Sequence, residues 1–70
     1  MHITTLRKEV EDHLDKINFP KSRMIWFGNE LTVVDGYDRK SWQLKAGMLR
    51  TKVESIKSDL SVIAKRRRGN

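Results

Sequence analysis

The sequence predicts a single α+β domain in the order helix, two-stranded β-hairpin, long C-terminal helix. Three observations predict this fold class: an early apolar stripe with helical spacing, an aromatic and β-branched run divided by Gly28-Asn29, and a heptad-spaced apolar stripe in the last third. The chain has 70 residues, which is enough for one domain. We expect this domain to span residues 1–64 and a basic tail to occupy residues 65–70.

The first element is a helix over residues 4–17. Apolar side chains recur there every three or four residues, as they do on one face of a helix. They are Leu6, Val10, Leu14 and Ile17. Asn18 can adopt the left-handed conformation that ends a helix, and Pro20 prevents the helix from continuing.

The second element is a β-hairpin within residues 23–34. Gly28-Asn29 is typical of a two-residue hairpin turn and would pair Phe27 with Glu30. Side chains alternate between the two faces of a strand. One face would carry Met24, Trp26, Leu31 and Val33, and the other Ile25, Phe27, Thr32 and Val34. Both faces are apolar and an isolated hairpin is marginal in water, so we expect helices or another chain to cover it.

The third element is a long helix that begins near Trp42 and is capped by Asp38 or Ser41. Its apolar residues are spaced alternately by four and three, which is a coiled-coil-like heptad stripe. They are Trp42, Ala46, Leu49, Val53, Ile56, Leu60 and Ile63. A helix of this length, about 35 Å, would extend beyond the first helix. The residues that we expect to contact a second copy or another partner are Val53, Ile56, Leu60 and Ile63.

The net charge of +6 is concentrated in residues 41–70, where eight basic side chains accompany only Glu54 and Asp59. Such a segment attracts polyanions because its cations replace their condensed counterions. We therefore favour nucleic-acid binding with a regulatory role, through phosphate contacts from the last helix and the tail. The candidate binding residues are Arg39, Lys40, Lys45, Arg50, Lys52, Lys57, Lys65, Arg66, Arg67 and Arg68.

Two binding geometries are open at this point. The long basic helix could lie against phosphates or in the major groove, or the hairpin could act as a ribbon on which Trp26 or Phe27 stacks with bases. In so small a chain, core packing is the more frequent role of Trp26 and Trp42. No residue pattern supports base-specific readout, so the choice between DNA and RNA stays open.

The sequence lacks the motifs of catalysis. It has no cysteine, no glycine-rich phosphate loop and no nucleophile elbow, and His2 and His13 are too few to form a zinc site. We therefore expect no enzymatic activity, no metal and no cofactor. No apolar run exceeds four residues, which argues against a signal peptide and a membrane span. The cytoplasm is the expected compartment, and a membrane is not an expected partner.

The alternative function is a protein-binding module, either an inhibitor or an assembly protein of a phage or mobile element. The heptad stripe and the hairpin would supply the contact surface, and the basic helix suits an acidic protein partner. In a parallel homo-oligomer Lys45 would face Arg50 and Lys52 would face Lys57, so an antiparallel homo-oligomer is favoured.

The order helix, hairpin, helix, followed by an Arg-Arg-Arg-Gly run at residues 66–69, resembles the layout of lambda-type phage head–tail joining proteins. The resemblance is one of layout, with different helix lengths. It implies a structural joining role within the protein-binding alternative.

Overall fold

Two helices pack against the same face of a three-stranded antiparallel sheet, which confirms the mixed α+β class. The structure is a computed structural model that describes residues 3–68. Its elements are helix α1 (Ile3–Lys16), strands β1 (Met24–Phe27), β2 (Glu30–Asp35) and β3 (Asp38–Gln43), and helix α2 (Arg50–Arg68). A 3₁₀ turn at Lys21–Arg23 leads into β1.

Helix α1 follows the predicted apolar stripe. Leu6, Val10 and Leu14 are buried, because their spacing of four places them on the side that faces the core. Asn18 has a φ of 55° and ends the helix in the left-handed conformation, as predicted. The amide of Phe19 then donates a 2.9 Å hydrogen bond to the carbonyl of Leu14, and the Phe19 side chain is buried.

The predicted hairpin is present in the predicted register. Phe27 pairs with Glu30 across the Gly28-Asn29 turn, and Trp26 pairs with Leu31. Gly28 has a φ of 60°, which glycine adopts without steric cost. Leu31 and Val33 are buried, so the face that carries Met24, Trp26, Leu31 and Val33 is the one that packs against the helices.

The prediction of a two-stranded sheet is wrong, because β3 pairs antiparallel with β2. Asp35 pairs with Asp38 across a two-residue turn, in which Gly36 has a φ of 66°. The turn after Asp35 therefore connects β2 to a third strand, and Asp38 and Ser41 are strand residues and not helix caps. β3 is an edge strand that is almost wholly exposed, so its polar residues carry no apolar pattern from which a strand could be predicted.

The predicted start of the last helix is also wrong, since α2 begins at Arg50. Trp42 lies in β3, whereas Ala46 and Leu49 lie in the connection between β3 and α2, where Gly47 has a φ of 79°. With 19 residues α2 is about 28 Å long, and the 14-residue α1 is about 21 Å long. The lengths of the two helices are therefore closer than the sequence predicts.

The apolar stripe of α2 is covered by the chain itself. Val53 and Leu60 are 0% exposed, Ile63 is 1% exposed and Ile56 is 7% exposed. All four belong to one cluster with buried residues of α1 and β2. The predicted overhang is therefore absent in the single chain, and contact of Val53, Ile56, Leu60 and Ile63 with a second copy or another partner stays a prediction. Because α2 is shorter than predicted, it does not extend beyond α1, and α1 and the sheet cover its apolar stripe.

The basic segment predicted as a tail is helical where the structure describes it. α2 continues through Arg68, so the backbone of Lys65 and Arg66 belongs to its last turns. The side chains of Arg67 and Arg68 lie outside the described residues, as do Gly69 and Asn70.

Candidate nucleic-acid interface

A cluster of four charged side chains joins α1 to α2. The carboxylate of Glu9 forms ion pairs with Arg50 and Lys57, and Glu54 lies 3.3 Å from both basic groups. Hydrogen bonds from Arg50 and then Lys57 lower the pKa of Glu9, whereas the hydrogen bond to Glu9 raises the pKa of Lys57. Arg50 and Lys57, both predicted as phosphate ligands, therefore have carboxylate partners within the fold.

Arg66 also has an internal partner. Its Nη1 atom lies 3.5 Å from a carboxylate oxygen of Asp35, whose side chain is only 14% exposed. This pair joins the end of α2 to the end of β2. Arg66, a predicted phosphate ligand, therefore has a carboxylate partner within the fold, although more than half of its side chain remains exposed.

The remaining predicted ligands with described side chains are exposed and have no carboxylate within 4.0 Å among the described residues. They are Arg39, Lys40, Lys45, Lys52 and Lys65. They lie on β3, on the connection after it and on α2. An exposed cation without a counterion in the protein keeps its charge available to a ligand.

The side of the sheet that faces away from both helices is open, and we call it the outer face. Strand alternation and register assign to it Ile25, Phe27, Glu30, Thr32, Val34, Arg39, Ser41 and Gln43. Phe27 is 81% exposed and Ile25 is 65% exposed. The hydroxyl groups of Thr32 and Ser41 are 2.9 Å apart and link β2 to β3 across this face. The outer face therefore combines apolar, hydroxyl and cationic side chains.

A shallow groove of about 500 Å³ continues from the outer face. Gln43 belongs to the outer face and also lines this groove, together with Lys45 and Lys52. Leu49, which is 70% exposed, lies in the same groove. The groove thus brings two unpaired lysines next to the end of the sheet where Phe27 pairs with Glu30.

Lys40 lies on the other side of β3, toward α2. It lines a cleft of about 190 Å³ with Trp42, Asp59 and Arg66. The structure therefore does not bring all the predicted basic residues to one surface, because strand alternation sends Arg39 and Lys40 to opposite faces.

Trp26 and Trp42 pack against the core, as the more frequent role of tryptophan in a small domain predicts. The guanidinium of Arg7 lies over the Trp26 ring, 4.6 Å from its centroid. The Trp26 ring is thus covered, whereas Phe27 faces solvent.

Sequence reasoning missed the polar half of the outer face. Arg39, Ser41 and Gln43 share this face with Phe27 only because β3 is a strand, and the sequence predicted a cap and a helix in that segment. The signal available was weak: a glycine in a two-residue turn, followed by alternation of Arg39, Ser41 and Gln43 with Lys40 and Trp42.

Within the described residues, no three His, Asp or Glu side chains are grouped so that they could hold a metal ion. His13 instead lies within hydrogen-bond distance of α2: its Nε2 atom is 3.2 Å from the carbonyl of Lys57 and 3.0 Å from Ser61 Oγ. His2 lies outside the described residues. Neither α1 nor α2, as described, is long and apolar enough to cross a bilayer.

Comparisons of the chain with family models, with curated protein sequences and with solved structures found no match. The resemblance in layout to phage joining proteins therefore stays a prediction.

Proposed function

We propose that this chain is a small non-catalytic protein that binds nucleic acid, with a regulatory role in the cytoplasm. The observation that carries the proposal is the set of exposed cations without a carboxylate partner among the described residues, above all Arg39, Lys45 and Lys52. These exposed cations and a net charge of +6 favour a polyanion as the ligand.

The proposed contacts differ from those that the sequence alone favours. Arg50 and Lys57 pair with Glu9, so their main role is to hold α1 against α2. Phosphate contacts are assigned instead to Arg39 on the outer face and to Lys45 and Lys52 in the groove that adjoins it. Lys65 adds an exposed charge on α2 and Lys40 one on the helix side of β3. Lys65 and Lys40 would contribute more to the long-range attraction of the polyanion than to a specific phosphate contact.

The proposal can be tested by fluorescence anisotropy. The labelled ligands are random-sequence duplex DNA, single-stranded DNA and single-stranded RNA, each titrated at low and near-physiological salt. Each phosphate contact contributes about 0.7 to 0.9 to the slope of log affinity against log salt. We expect the double variant Lys45→Ala/Lys52→Ala to bind more weakly and to reduce the slope by about 1.5.

The matched control is Lys8→Ala/Lys21→Ala, which changes the net charge equally. Lys8 lies 3.7 Å from Asp12, and Lys21 lies 3.6 Å from Asp15, so both lysines are already paired. We expect this variant to retain most of the affinity and the wild-type slope. Equal effects of the two double variants would contradict the assignment of the contacts, and no binding of the wild type at low salt would contradict the proposed function.

The protein-binding alternative no longer has the heptad stripe as an exposed surface, since α1 and the sheet cover it. It retains one favourable observation: β1 and β3 are both edge strands, and the outer face next to them exposes Ile25 and Phe27. Edge strands accept an additional strand from a partner by main-chain hydrogen bonding. A wild type that binds no polyanion would make an inhibitor or assembly role, including that of a joining protein, the first candidate.

A further inference from the structure

We infer that the outer face binds unpaired bases of single-stranded nucleic acid and that the ring of Phe27 is the surface on which a base stacks. This inference deepens the proposed function and rests on it. Phe27 is 81% exposed, and among the described residues no guanidinium or ammonium group lies over its ring. Ile25 lies two residues earlier on the same side of β1, about 7 Å away, and widens the apolar platform.

The surroundings of Phe27 suit a nucleotide. Gln43 lies in the same row of the sheet, two strands away, and can donate and accept hydrogen bonds at a base edge. Arg39 lies at the other end of β3 on the same face, about 13 Å from Gln43. Lys45 and Lys52 lie just beyond Gln43. A single strand that crosses the outer face would thus meet Arg39 near one end of β3, Lys45 and Lys52 beyond the other end, and the ring of Phe27 on the opposite edge strand. Cations combined with an exposed aromatic ring are typical of single-strand binding surfaces.

A duplex fits this surface less well. Bases of a duplex are stacked on each other and offer no free ring face to Phe27. The outer strands of a three-stranded sheet are also about 10 Å apart before side chains are counted, whereas the major groove is about 12 Å wide. Inside the major groove of a duplex, the exposed side chains of Ile25 and Phe27 would face the groove wall and would have no base to stack on.

Glu30 lies between Phe27 and Gln43 in the same row and is the one acidic residue of the outer face as the structure describes it. Its charge would repel a phosphate that passed close to Phe27. A base, not a phosphate, is therefore the part of the nucleotide that occupies this position. We expect Glu30→Gln to raise the affinity for a single strand by about two- to fivefold, because the variant removes one repulsive charge at the surface.

The test compares ring-retaining and ring-removing variants. The probes are a labelled oligothymidylate of about 15 nucleotides, which covers the site sizes usual for such surfaces, and a duplex of similar length. We expect Phe27→Leu, which keeps an apolar side chain, to lower the affinity for oligothymidylate about tenfold with an unchanged salt slope. Phe27→Trp should keep the wild-type affinity. Tyr37→Leu is the matched control, because Tyr37 is fully exposed in the turn between β2 and β3 and not on the outer face.

The outcomes separate this inference from the proposed function. If the wild type binds with a steep salt dependence but Phe27→Leu binds equally well, or if the duplex is preferred, the inference is overturned and the proposed function stands. If the wild type binds neither probe at low salt, both are overturned. If sedimentation shows a wild-type dimer that Phe27→Leu converts to a monomer, the outer face is an interface between copies and the inference fails.

Discussion

The guanidinium of Arg7 on α1 lies over the ring of Trp26 on β1 and donates a 2.8 Å hydrogen bond to the carbonyl of Gly28 in the adjoining turn. Glu11, one turn further along α1, holds the same guanidinium at 3.2 Å. One side chain therefore fixes the first helix to the β1–β2 hairpin. It also covers Trp26, which leaves Phe27 as the exposed ring of that strand.

Arg7→Ala should lower the free energy of unfolding by about 1 kcal/mol, since it removes a cation–π contact and a hydrogen bond between two elements. Urea denaturation followed by tryptophan fluorescence would measure the change. Lys8→Ala is the control, because the ion pair that Lys8 forms among the described residues is with Asp12 on the same helix. A loss as small as that of the control would mean that Arg7 does not anchor the hairpin.

Glu9→Gln should also lower the free energy of unfolding by about 1 kcal/mol at neutral pH, the upper end for ion pairs near the surface. The variant removes the ion pairs of Arg50 and Lys57 to α1 and leaves both cations with Glu54 of their own helix. Glu11→Gln, which disrupts an i,i+4 pair with Arg7 on one helix, is expected to cost less, about 0.3 kcal/mol for the pair itself. Equal losses in the two variants would contradict a special role of the cluster.

Glu9 should also make the free energy of unfolding depend on pH in the acidic range. Hydrogen bonds from Arg50 and Lys57 lower the pKa of Glu9 in the folded state from its usual value of 4.5. Its contribution to stability is therefore present above pH 4.5 and is lost as the pH falls below that value, through the folded-state pKa. We expect the difference in unfolding free energy between wild type and Glu9→Gln to shrink over this range. A difference that stays constant in denaturation curves recorded across it would exclude this linkage.

Leu60→Ala should destabilise the monomer by about 2 to 5 kcal/mol, because Leu60 is 0% exposed and truncation leaves a cavity. Val62→Ala on the same helix should change the stability by less than about 1 kcal/mol, since Val62 is 48% exposed. Thermal or urea denaturation distinguishes the two variants. A Leu60→Ala protein that keeps its stability but changes its sedimentation would restore the stripe of α2 as a contact surface.

Gly36→Ala should lower the free energy of unfolding by about 1 to 2 kcal/mol. Gly36 has a φ of 66°, and no heavy atom lies within 4 Å of the position that a Cβ would take. Any loss therefore comes from backbone strain and not from a clash. Tyr37→Ala in the same turn should lose less, because Tyr37 does not have a positive φ and its side chain is fully exposed. Equal losses in the two variants would argue against a strained turn as the cause.

The sequence predicted α1 and the β1–β2 hairpin correctly because both bury a strongly apolar face. Leu6, Val10 and Leu14 mark one side of a helix, and Leu31 and Val33 mark one side of a strand. β3 was not predictable in this way, because an edge strand that is almost wholly exposed has no apolar side to reveal it. The start of the last helix was predicted wrongly because Trp42, Ala46 and Leu49 have heptad spacing by coincidence, although they precede α2.

The candidate surface was predictable only as a list of charges. The sequence shows where the cations are, but not which of them the fold neutralises. Arg50 meets Glu9 across 41 residues of sequence, and this contact depends on how α1 packs against α2. Arg39 and Lys40 are neighbours in sequence, yet they lie on opposite faces of β3. Tertiary packing thus separates the basic residues into cations that pair with carboxylates of the fold and cations that remain available to a ligand.

The open edge of β3 bears on the behaviour of the protein at high concentration. An edge strand with free main-chain groups invites another copy to pair with it and to extend the sheet, which leads to aggregation. β3 carries Arg39 on one face and Lys40 on the other, so a second β3 strand that set either residue opposite its own copy would bring like charges together. We therefore expect the polar residues that make this strand hard to recognise in the sequence to disfavour edge-to-edge pairing of copies as well.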